Sequence, residues 1–569
     1  MVSPSWRTVI GGNSCCHWHK PVVFTRRRRY CDRQRVEVAT ASRSYMPVRH
    51  NIFRQMSNNT AGTRAETEQG AAQSVDWGDA ISDGGLVVVS NRQPYSHTYD
   101  GDDVTVEVHA GGLTAGLDPV MQAVGGTWVA WGDGDADRQV VDENDCVPAP
   151  PDDPNYTLCR VWLDDDEVED YYYGFSNQVL WPICHSALTN VVEWERYWER
   201  YRSVNERFVD AVEDHTDAGD IVWFQDYHFA LAPAIARERV DDDTVLMQFW
   251  HIPWPSWDTF RGCPHGEAIL EGLLGNDLFV FHVPRYRENF LRCVEMAIDD
   301  ADVDHETGTV RYDGHETQVT EFPMGIEVDK IAERAGSAEA DEFWAEFTED
   351  YPVADTVAVG VDRLDYSKGI PERLRALEQF FERNPEWRGE LTYVEKGSES
   401  RTQIQSYKDI QNRIETAVER VNDRFGTDGW TPVLFFDEYI SQKALAGLYR
   451  HSDMALISPL RDGMNLVAQE YVAAQIDDDG VLILSDQAGA SRLLDAALMV
   501  KPQNTGAFAD AIERALSMRG AERRARMQHL HEQVAENDLP TWTGLNLRAA
   551  MALRDGEGSV REPGLPTGG

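Results

Sequence analysis

The run Gly360-Val361-Asp362-Arg363-Leu364-Asp365-Tyr366-Ser367-Lys368-Gly369-Ile370-Pro371 leaves a short apolar stretch and enters a helical pattern. Arg363 and Lys368 thus leave one strand end, where two cations can neutralise a diphosphate leaving group without a metal. Standing alone, the same segment reads as an Arg363 to Asp365 surface pair beside a solvated lysine. Further on, Ser458-Pro459-Leu460-Arg461-Asp462-Gly463-Met464-Asn465-Leu466-Val467-Ala468-Gln469-Glu470 again joins a strand to a helix. The N–H groups of Met464, Asn465 and Leu466 would point at an anion, Glu470 could hold a ribose diol, and Asp462 could accept from sugar hydroxyls. A helix cap with a surface carboxylate is the common structural use of such a pattern.

Two earlier segments, Gln225-Asp226-Tyr227-His228 and His251-Ile252-Pro253-Trp254-Pro255, each follow an apolar run. Asp226 and His251, at strand ends on one cleft rim, are sugar-hydroxyl ligands by type, although a histidine taken singly is more often a core residue. Tyr171 to Tyr173 and Phe175-Ser176-Asn177-Gln178-Val179-Leu180-Trp181-Pro182 place rings where a pyranose could stack; rings alone are more often core. Gly111-Gly112-Leu113-Thr114-Ala115-Gly116-Leu117 would let backbone N–H groups approach a phosphate, and no GxGxxG supports a dinucleotide site. Asp164-Asp165-Asp166 could suggest a metal-binding DxD, but with 97 acids in the chain it reads as solvated surface.

The elements that must position these residues follow a βα alternation from residue 85. Short buried strands are expected at 86–90, 221–224 and 245–249, with helices near 196–214, 229–239 and 284–300. A second series follows an acidic, helix-like stretch at 329–350, with strands at 356–361, 391–395, 432–436, 453–457 and 481–484. Such alternation predicts an α/β chain with two doubly wound, Rossmann-like parallel sheets, joined near Gly325 to Asp329, with a cleft between them.

Composition narrows the partners. The 569 residues carry 97 Asp and Glu against 53 Lys and Arg, a net charge of −44, which repels nucleic acid and anionic lipid and favours a soluble monomer or small homo-oligomer. Only seven lysines are present, so the placement of Lys368 is informative. An acid-loaded, lysine-poor surface resembles that of salt-accumulating halophile proteins, where salt screens self-repulsion; an ordinary acidic cytosolic enzyme is the plainer reading. No apolar run approaches a membrane span. Eight cysteines without a CxxC pair argue for a reducing cytoplasm over a disulfide scaffold and leave a zinc ribbon without ligands. Residues 1–56 differ, with eleven Lys or Arg against Asp32 and Glu37. They read as a basic targeting or nucleic-acid-binding arm or, preferably, as upstream sequence translated from an early start codon, since Met46 and Met56 are plausible starts.

Together, VVVSNR, GGLTAGL, GFSNQVLWP, FQDYHFALAP, FWHIPWP, GVDRLDYSKG and PLRDGMNLVAQEYVAAQ occur in the order of one family. Over about residues 85–555 the chain resembles the trehalose-6-phosphate synthases, retaining glucosyltransferases of glycosyltransferase family 20 with a GT-B fold. The resemblance implies a nucleotide-glucose donor (UDP-glucose first), glucose 6-phosphate as acceptor, front-face transfer with retention, and no cofactor, metal or covalent nucleophile. By motif, Arg363 and Lys368 would clamp the diphosphate and Gly112 would close on the donor. Asp462 with the backbone of Met464, Asn465 and Leu466 would hold the donor glucose, and Glu470 the ribose. Asp226 and His251 would lie near the anomeric centre, and Arg92, Tyr172, Trp181 and Arg401 would form the acceptor site. Arg401 lies in Glu399-Ser400-Arg401-Thr402, where the family has PSR. Gln469 and Ser491-Arg492-Leu493-Leu494 also depart from the pattern, at the expected rim of the donor site.

The expected division is a basic extension at 1–56, a disordered linker at 57–84, an acceptor domain at 85–328 and a nucleotide-sugar domain at 329–535. A helix at 536–556 would return to the first domain, ahead of a flexible tail at 557–569. A related transferase using glycerol 3-phosphate, and an inactive regulatory subunit, are the alternatives. The absence of a DxDxT motif disfavours a phosphatase domain. Arg92 and Arg401, which come from different domains and have no obvious acid to pair with, are expected to meet across the cleft only on closure.

Overall fold

The computed structural model describes residues 84–108 and 112–556. The expectations for residues 1–56, for 57–83, for Gly111 and for the tail 557–569 lie outside the described residues.

The strands in chain order are β1 (Leu86–Arg92), β2 (Tyr95–Asp100), β3 (Asp103–Val108), β4 (Thr127–Trp131), β5 (Cys146–Ala149), β6 (Tyr156–Val161), β7 (Ile221–Gln225), β8 (Val245–Phe249) and β9 (Leu278–Phe281). They continue as β10 (Asp302–Asp304), β11 (Thr309–Tyr312), β12 (His315–Glu321), β13 (Thr356–Arg363), β14 (Leu391–Ser398), β15 (Val433–Phe436), β16 (Met454–Ile457), β17 (Val481–Ser485) and β18 (Leu498–Val500). The first sheet has ten strands in the order β10-β11-β12-β9-β8-β7-β1-β4-β6-β5, and the second six in the order β15-β14-β13-β16-β17-β18. The hairpin β2-β3 stands apart.

Why the middle of the first sheet is parallel is visible in β1. Val87 and Val89 face one core with Val129, while Leu86 and Val88 face the other with Trp128 and Ala130. A strand apolar on both faces needs helices on both sides, which βα crossovers provide. The expectation of a wholly parallel sheet is corrected at its edges, since β5 runs antiparallel to β6, and β10, β11 and β12 form an antiparallel meander. These edge strands carry charges such as Asp302, Asp304, Arg311 and Glu316, which discourage further pairing. The second sheet is parallel throughout.

Three helical expectations are also refined. The 229–239 segment is a single turn, Tyr227–Phe229, then a short helix, Ala232–Arg237, because Pro233 can enter only a first turn. The acidic stretch at 329–350 is two helices, Val328–Ala335 and Ala338–Asp350, divided where Ser337 caps the second by accepting from Ala340 N–H. The stretch Val168–Leu180 winds as a π-helix, which brings Tyr171, Tyr172 and Phe175 inward.

The cysteine reading is corrected as well, because Cys146 and Cys159 are joined as a disulfide. They stand directly opposite in the β5/β6 register, and pairing by register leaves no spacing signal in the sequence. Finally, the helix Leu539–Arg554 lies on the first sheet, with the Trp542 ring tilted against Trp223 at 5.3 Å and edge-to-face with Phe249 at 5.1 Å. The chain therefore crosses between the sheets twice, once near residue 325 and again ahead of Leu539.

Candidate active site

The carboxyl ends of β1, β7 and β8 face those of β13 and β16 across a narrow cleft. The approach is close enough that a Cβ on Gly463 would lie 1.8 Å from the His251 carbonyl oxygen, so only glycine fits there. Tyr286 reaches over from the helix Pro284–Ala297 and donates its hydroxyl to the Asp462 carbonyl at 2.7 Å. Buried Gln469 donates to Met324 O at 3.0 Å and so pins the crossover; it lies in the core, not on the rim where the sequence placed it.

On the second-sheet side, Lys368 follows β13 and Asp462 follows β16, and Lys368 Nζ lies 2.5 Å from Asp462 Oδ2. Burial opposes the Asp462 charge, but the ammonium outweighs it and holds the carboxyl below the usual range. Asn465, at φ +81°, caps the helix Leu466–Ala474 by accepting from Ala468 N–H and donates to Asp462 Oδ2 at 3.0 Å. The N–H groups of Met464, Asn465 and Leu466 precede the first intrahelical bond and remain available to an anion. One turn on, Glu470 accepts from the Tyr449 hydroxyl at 3.2 Å, and burial raises its pKa. Arg363 is exposed, with its guanidinium 5.4 Å over the Trp181 ring. Gly112 opens the helix Gly112–Val124, immediately after the undescribed segment.

Beneath this loop lies a fully buried group that the sequence did not single out. Arg373 donates to Asp362 at 2.5 Å, Ser458 at 2.9 Å and the Tyr393 hydroxyl at 2.9 Å, tying the ends of β13, β14 and β16 together.

On the first-sheet side, Asp226 adopts φ +69° and accepts the His251 N–H at 3.1 Å. Burial pushes its carboxyl up to about 7, against backbone N–H bonds and the charges of Arg401 and Arg363. His251 Nε2 lies 2.9 Å from the Gln225 side-chain amide, and burial keeps the ring neutral.

The remaining four residues form one aromatic and cationic cluster. Arg401 lies 4.1 Å over Trp181 and donates to the hydroxyls of Tyr407 at 2.5 Å and Tyr227 at 3.2 Å. Arg92 lies over Tyr172 at 5.2 Å and Trp131 at 5.3 Å. Burial raises the Tyr172 phenol, but Arg401 and Arg92 together outweigh it and bring it down to about 8. Acids distant in sequence partner both arginines: Arg92 pairs with Asp133 at 2.5 Å and Arg401 with Asp365 at 3.4 Å, and both lie close to Tyr172. The surface reading of Asp365 fails, since its side chain is fully buried.

The structure thus brings together Arg92, Tyr172, Trp181, Asp226, His251, Arg363, Lys368, Arg401 and Asp462 around the cleft. It adds Trp131, Asp133, Tyr227, His228, Tyr286 and Tyr407, which sequence reasoning missed. Tyr227 and His228 stood beside Asp226 in a quoted motif, and Trp131 ends an apolar strand; Tyr407 had no signal, lying inside a long amphipathic helix. His228 stacks at 5.9 Å on Tyr172 and stays neutral through burial, reinforced by the nearby arginines. Two arginines, a phenol and a tryptophan face can hold a sugar phosphate, and a lysine, an arginine and a helix N-terminus can hold a diphosphate.

Residues 84–551 match the sequence model of glycosyltransferase family 20. A bifunctional trehalose-6-phosphate synthase/phosphatase from Thermoproteus tenax is 36% identical over 468 residues, covering 80% of this chain and 62% of that protein, so the chain spans about three fifths of that relative's length. Among solved structures, the Escherichia coli trehalose-6-phosphate protein bound with UDP-2-fluoro glucose superimposes with a TM-score of 0.74 at 33% identity, covering 82% of this chain and 98% of that one. An α,α-trehalose-phosphate synthase (UDP-forming) from Burkholderia xenovorans in complex with glucose 6-phosphate gives a TM-score of 0.73 at 30% identity, covering 82% and 100%. With two facing Rossmann-like sheets, a cleft lined at their carboxyl ends and this extent of likeness, the chain belongs to glycosyltransferase family 20 and has its GT-B architecture.

Proposed function

We propose that the protein is a retaining glucosyltransferase that moves glucose from UDP-glucose to glucose 6-phosphate, forming α,α-trehalose 6-phosphate. The observation that carries this reading is the convergence of two anion-binding sets on one narrow cleft, Arg363 with Lys368 after β13, and Arg92 from the first sheet with Arg401 from the second. Relatives of the same fold bind UDP-2-fluoro glucose and glucose 6-phosphate, which supports these two substrates.

Donor diphosphate meets Arg363, Lys368 and the N–H groups at Met464 to Leu466, while Glu470 accepts from the ribose. Lys368 then shares its charge between the phosphate and Asp462, whose carboxylate turns toward the glucose hydroxyls. As the C1–O bond lengthens, negative charge grows on the departing phosphate, and fixed cations stabilise that charge more than the ground state. Asp226 and His251 lie next to the developing oxocarbenium ion and accept from sugar hydroxyls. The acceptor phosphate sits between Arg92 and Arg401, and Trp181 positions Arg401 by packing its ring against that guanidinium and the His185 imidazole. Front-face attack leaves the acceptor proton closest to the departing phosphate oxygen, which can take it as the bond breaks. Exclusion of water at the Gly463 contact limits hydrolysis of the donor.

No described helix is long and apolar enough to cross a membrane, and reaction in the cytoplasm, where both substrates are made, fits this function. The experiment is an acceptor panel of glucose 6-phosphate, glucose and glycerol 3-phosphate with UDP-glucose. Preference for glucose 6-phosphate by about tenfold or more over glucose supports phosphate recognition; preference for glycerol 3-phosphate overturns the acceptor assignment.

A further inference from the structure

Away from the cleft, at the outer edge of the first sheet, three metal-ligating side chains meet. β5 and β6 run antiparallel with Cys146 directly opposite Cys159, and both sulfurs are buried. His215 ends the helix Glu195–Asp214 and sets Nε2 3.5 Å from Cys146 Sγ. One ligand atom from each of the three lies within 4.8 Å of the others, and among the described residues no other such group of His, Cys, Asp and Glu occurs. The nearby Asp142 carboxylate accepts N–H bonds from Cys146 and Asn144, both at 2.9 Å.

We propose that Cys146, Cys159 and His215 form a redox-gated binding site for a borderline-soft divalent cation of the zinc class, closed as a disulfide when oxidised and open to metal when reduced. A tetrahedral zinc ion about 2.3 Å from sulfur and about 2.0 Å from nitrogen needs ligand atoms roughly 3.5 to 3.8 Å apart. The His215 to Cys146 contact already meets that spacing, so only the two sulfurs must separate. They stand face to face on paired strands, where rotation about each Cα–Cβ bond suffices. Two thiolates and one imidazole select zinc-class ions over magnesium or calcium, which take oxygen ligands. The fourth position falls to water, and the excess of acidic residues raises the local concentration of cations.

The chemistry balances in two steps. A dithiol reductant transfers two electrons and two protons to the disulfide, leaving two cysteine thiols and its own disulfide. The divalent ion then displaces both thiol protons, and the two thiolates cancel its charge. The imidazole binds through Nε2 in its neutral form, carrying its proton on Nδ1.

Full-length protein reduced with a phosphine, desalted without air and titrated with Co²⁺ tests the site. Thiolate-to-cobalt charge-transfer absorption should rise to one additional equivalent per chain relative to Cys146→Ser/Cys159→Ser, and Zn²⁺ should displace it. Reading the difference removes any contribution from Cys15, Cys16 and Cys31. His215→Ala should weaken cobalt binding by about tenfold or more. Circular dichroism and glucosyl transfer report whether the variants fold, since none of the three residues lines the cleft. The proposal is overturned if the double variant shows the same bands as wild type. If that variant does not fold, equal cobalt uptake by oxidised and reduced wild type overturns it.

Discussion

Lys368 and Asp462, 94 residues apart in sequence, meet at 2.5 Å where two strands of the second sheet end. The ammonium cancels a carboxylate that burial would otherwise protonate, so the pair holds an ionised acid at the sugar and a cation at the phosphate. Arrival of a diphosphate gives Lys368 a second partner, and the pair becomes a triad of alternating charge.

Lys368→Ala removes both functions. kcat/KM is expected to fall by about 10²-fold or more, mostly in kcat, because the contact strengthens as charge grows on the leaving phosphate. Steady-state kinetics with native circular dichroism check this, and turnover equal to wild type would return Lys368 to a purely structural role.

Tyr172 predicts a pH dependence specific to the acceptor. Its phenol titrates near 8 between Arg401 and Arg92. Below that value the phenol is neutral and does not compete with the phosphate for the two guanidiniums. Above it, the phenolate pairs with them and repels the dianion. KM for glucose 6-phosphate should rise several-fold between pH 7 and pH 9 while KM for the donor stays level, and Tyr172→Phe should flatten the rise. A parallel rise in both constants would place the titration elsewhere.

Asp226 predicts a trade of stability against activity. Burial raises its folded-state pKa to about 7, above the roughly 3.9 of an unfolded chain. The folded protein therefore holds this proton more tightly, and the stability it confers is full below about pH 4 and lost as pH rises through about 7. Asp226→Asn, which tolerates the positive φ, should gain about 1–3 kcal/mol over wild type at pH 8 and little at pH 4, while transfer falls at least tenfold. Denaturant unfolding at the two pH values measures the difference. An equal effect at both would show that Asp226 ionises normally.

The two acceptor arginines should separate in stability. Arg401 and Asp365 are 5% and 0% exposed, so Arg401→Ala strands a buried carboxylate at a cost of about 3–5 kcal/mol. Arg92 is about half exposed beside Asp133, and Arg92→Ala should cost at most about 1 kcal/mol. Both should weaken use of glucose 6-phosphate by one to two decades with donor binding nearly unchanged. Unfolding curves and acceptor titrations of the two variants test the contrast.

How much of this was legible in the sequence follows from what sets each feature. The central strands were, because Leu86 to Val89 and Val245 to Phe249 are apolar runs that a two-sided sheet requires. The antiparallel edges were not, since β10 and β11 carry alternating charge that reads equally as loop. Lys368 stood out against so few lysines, and its strand end was visible from the apolar run before it. Its partner Asp462 was seen as a separate sugar ligand, because a contact between β13 and β16 depends on strand order. Asp133 and Asp365 illustrate the same limit, as ion pairs across about 40 residues leave no local pattern. The π-helix at Val168–Leu180 was hidden because its turn length departs from the 3.6-residue period by which helices are recognised.

Mixing purified protein with UDP-glucose and glucose 6-phosphate, and following anomeric protons by NMR alongside UDP release, tests the proposed transfer most directly. The expected result is an α,α-linked disaccharide phosphate formed in equal amount to UDP, with the reaction nearly lost in Lys368→Ala. UDP release without a disaccharide, or equal transfer to glucose and glucose 6-phosphate, would contradict it.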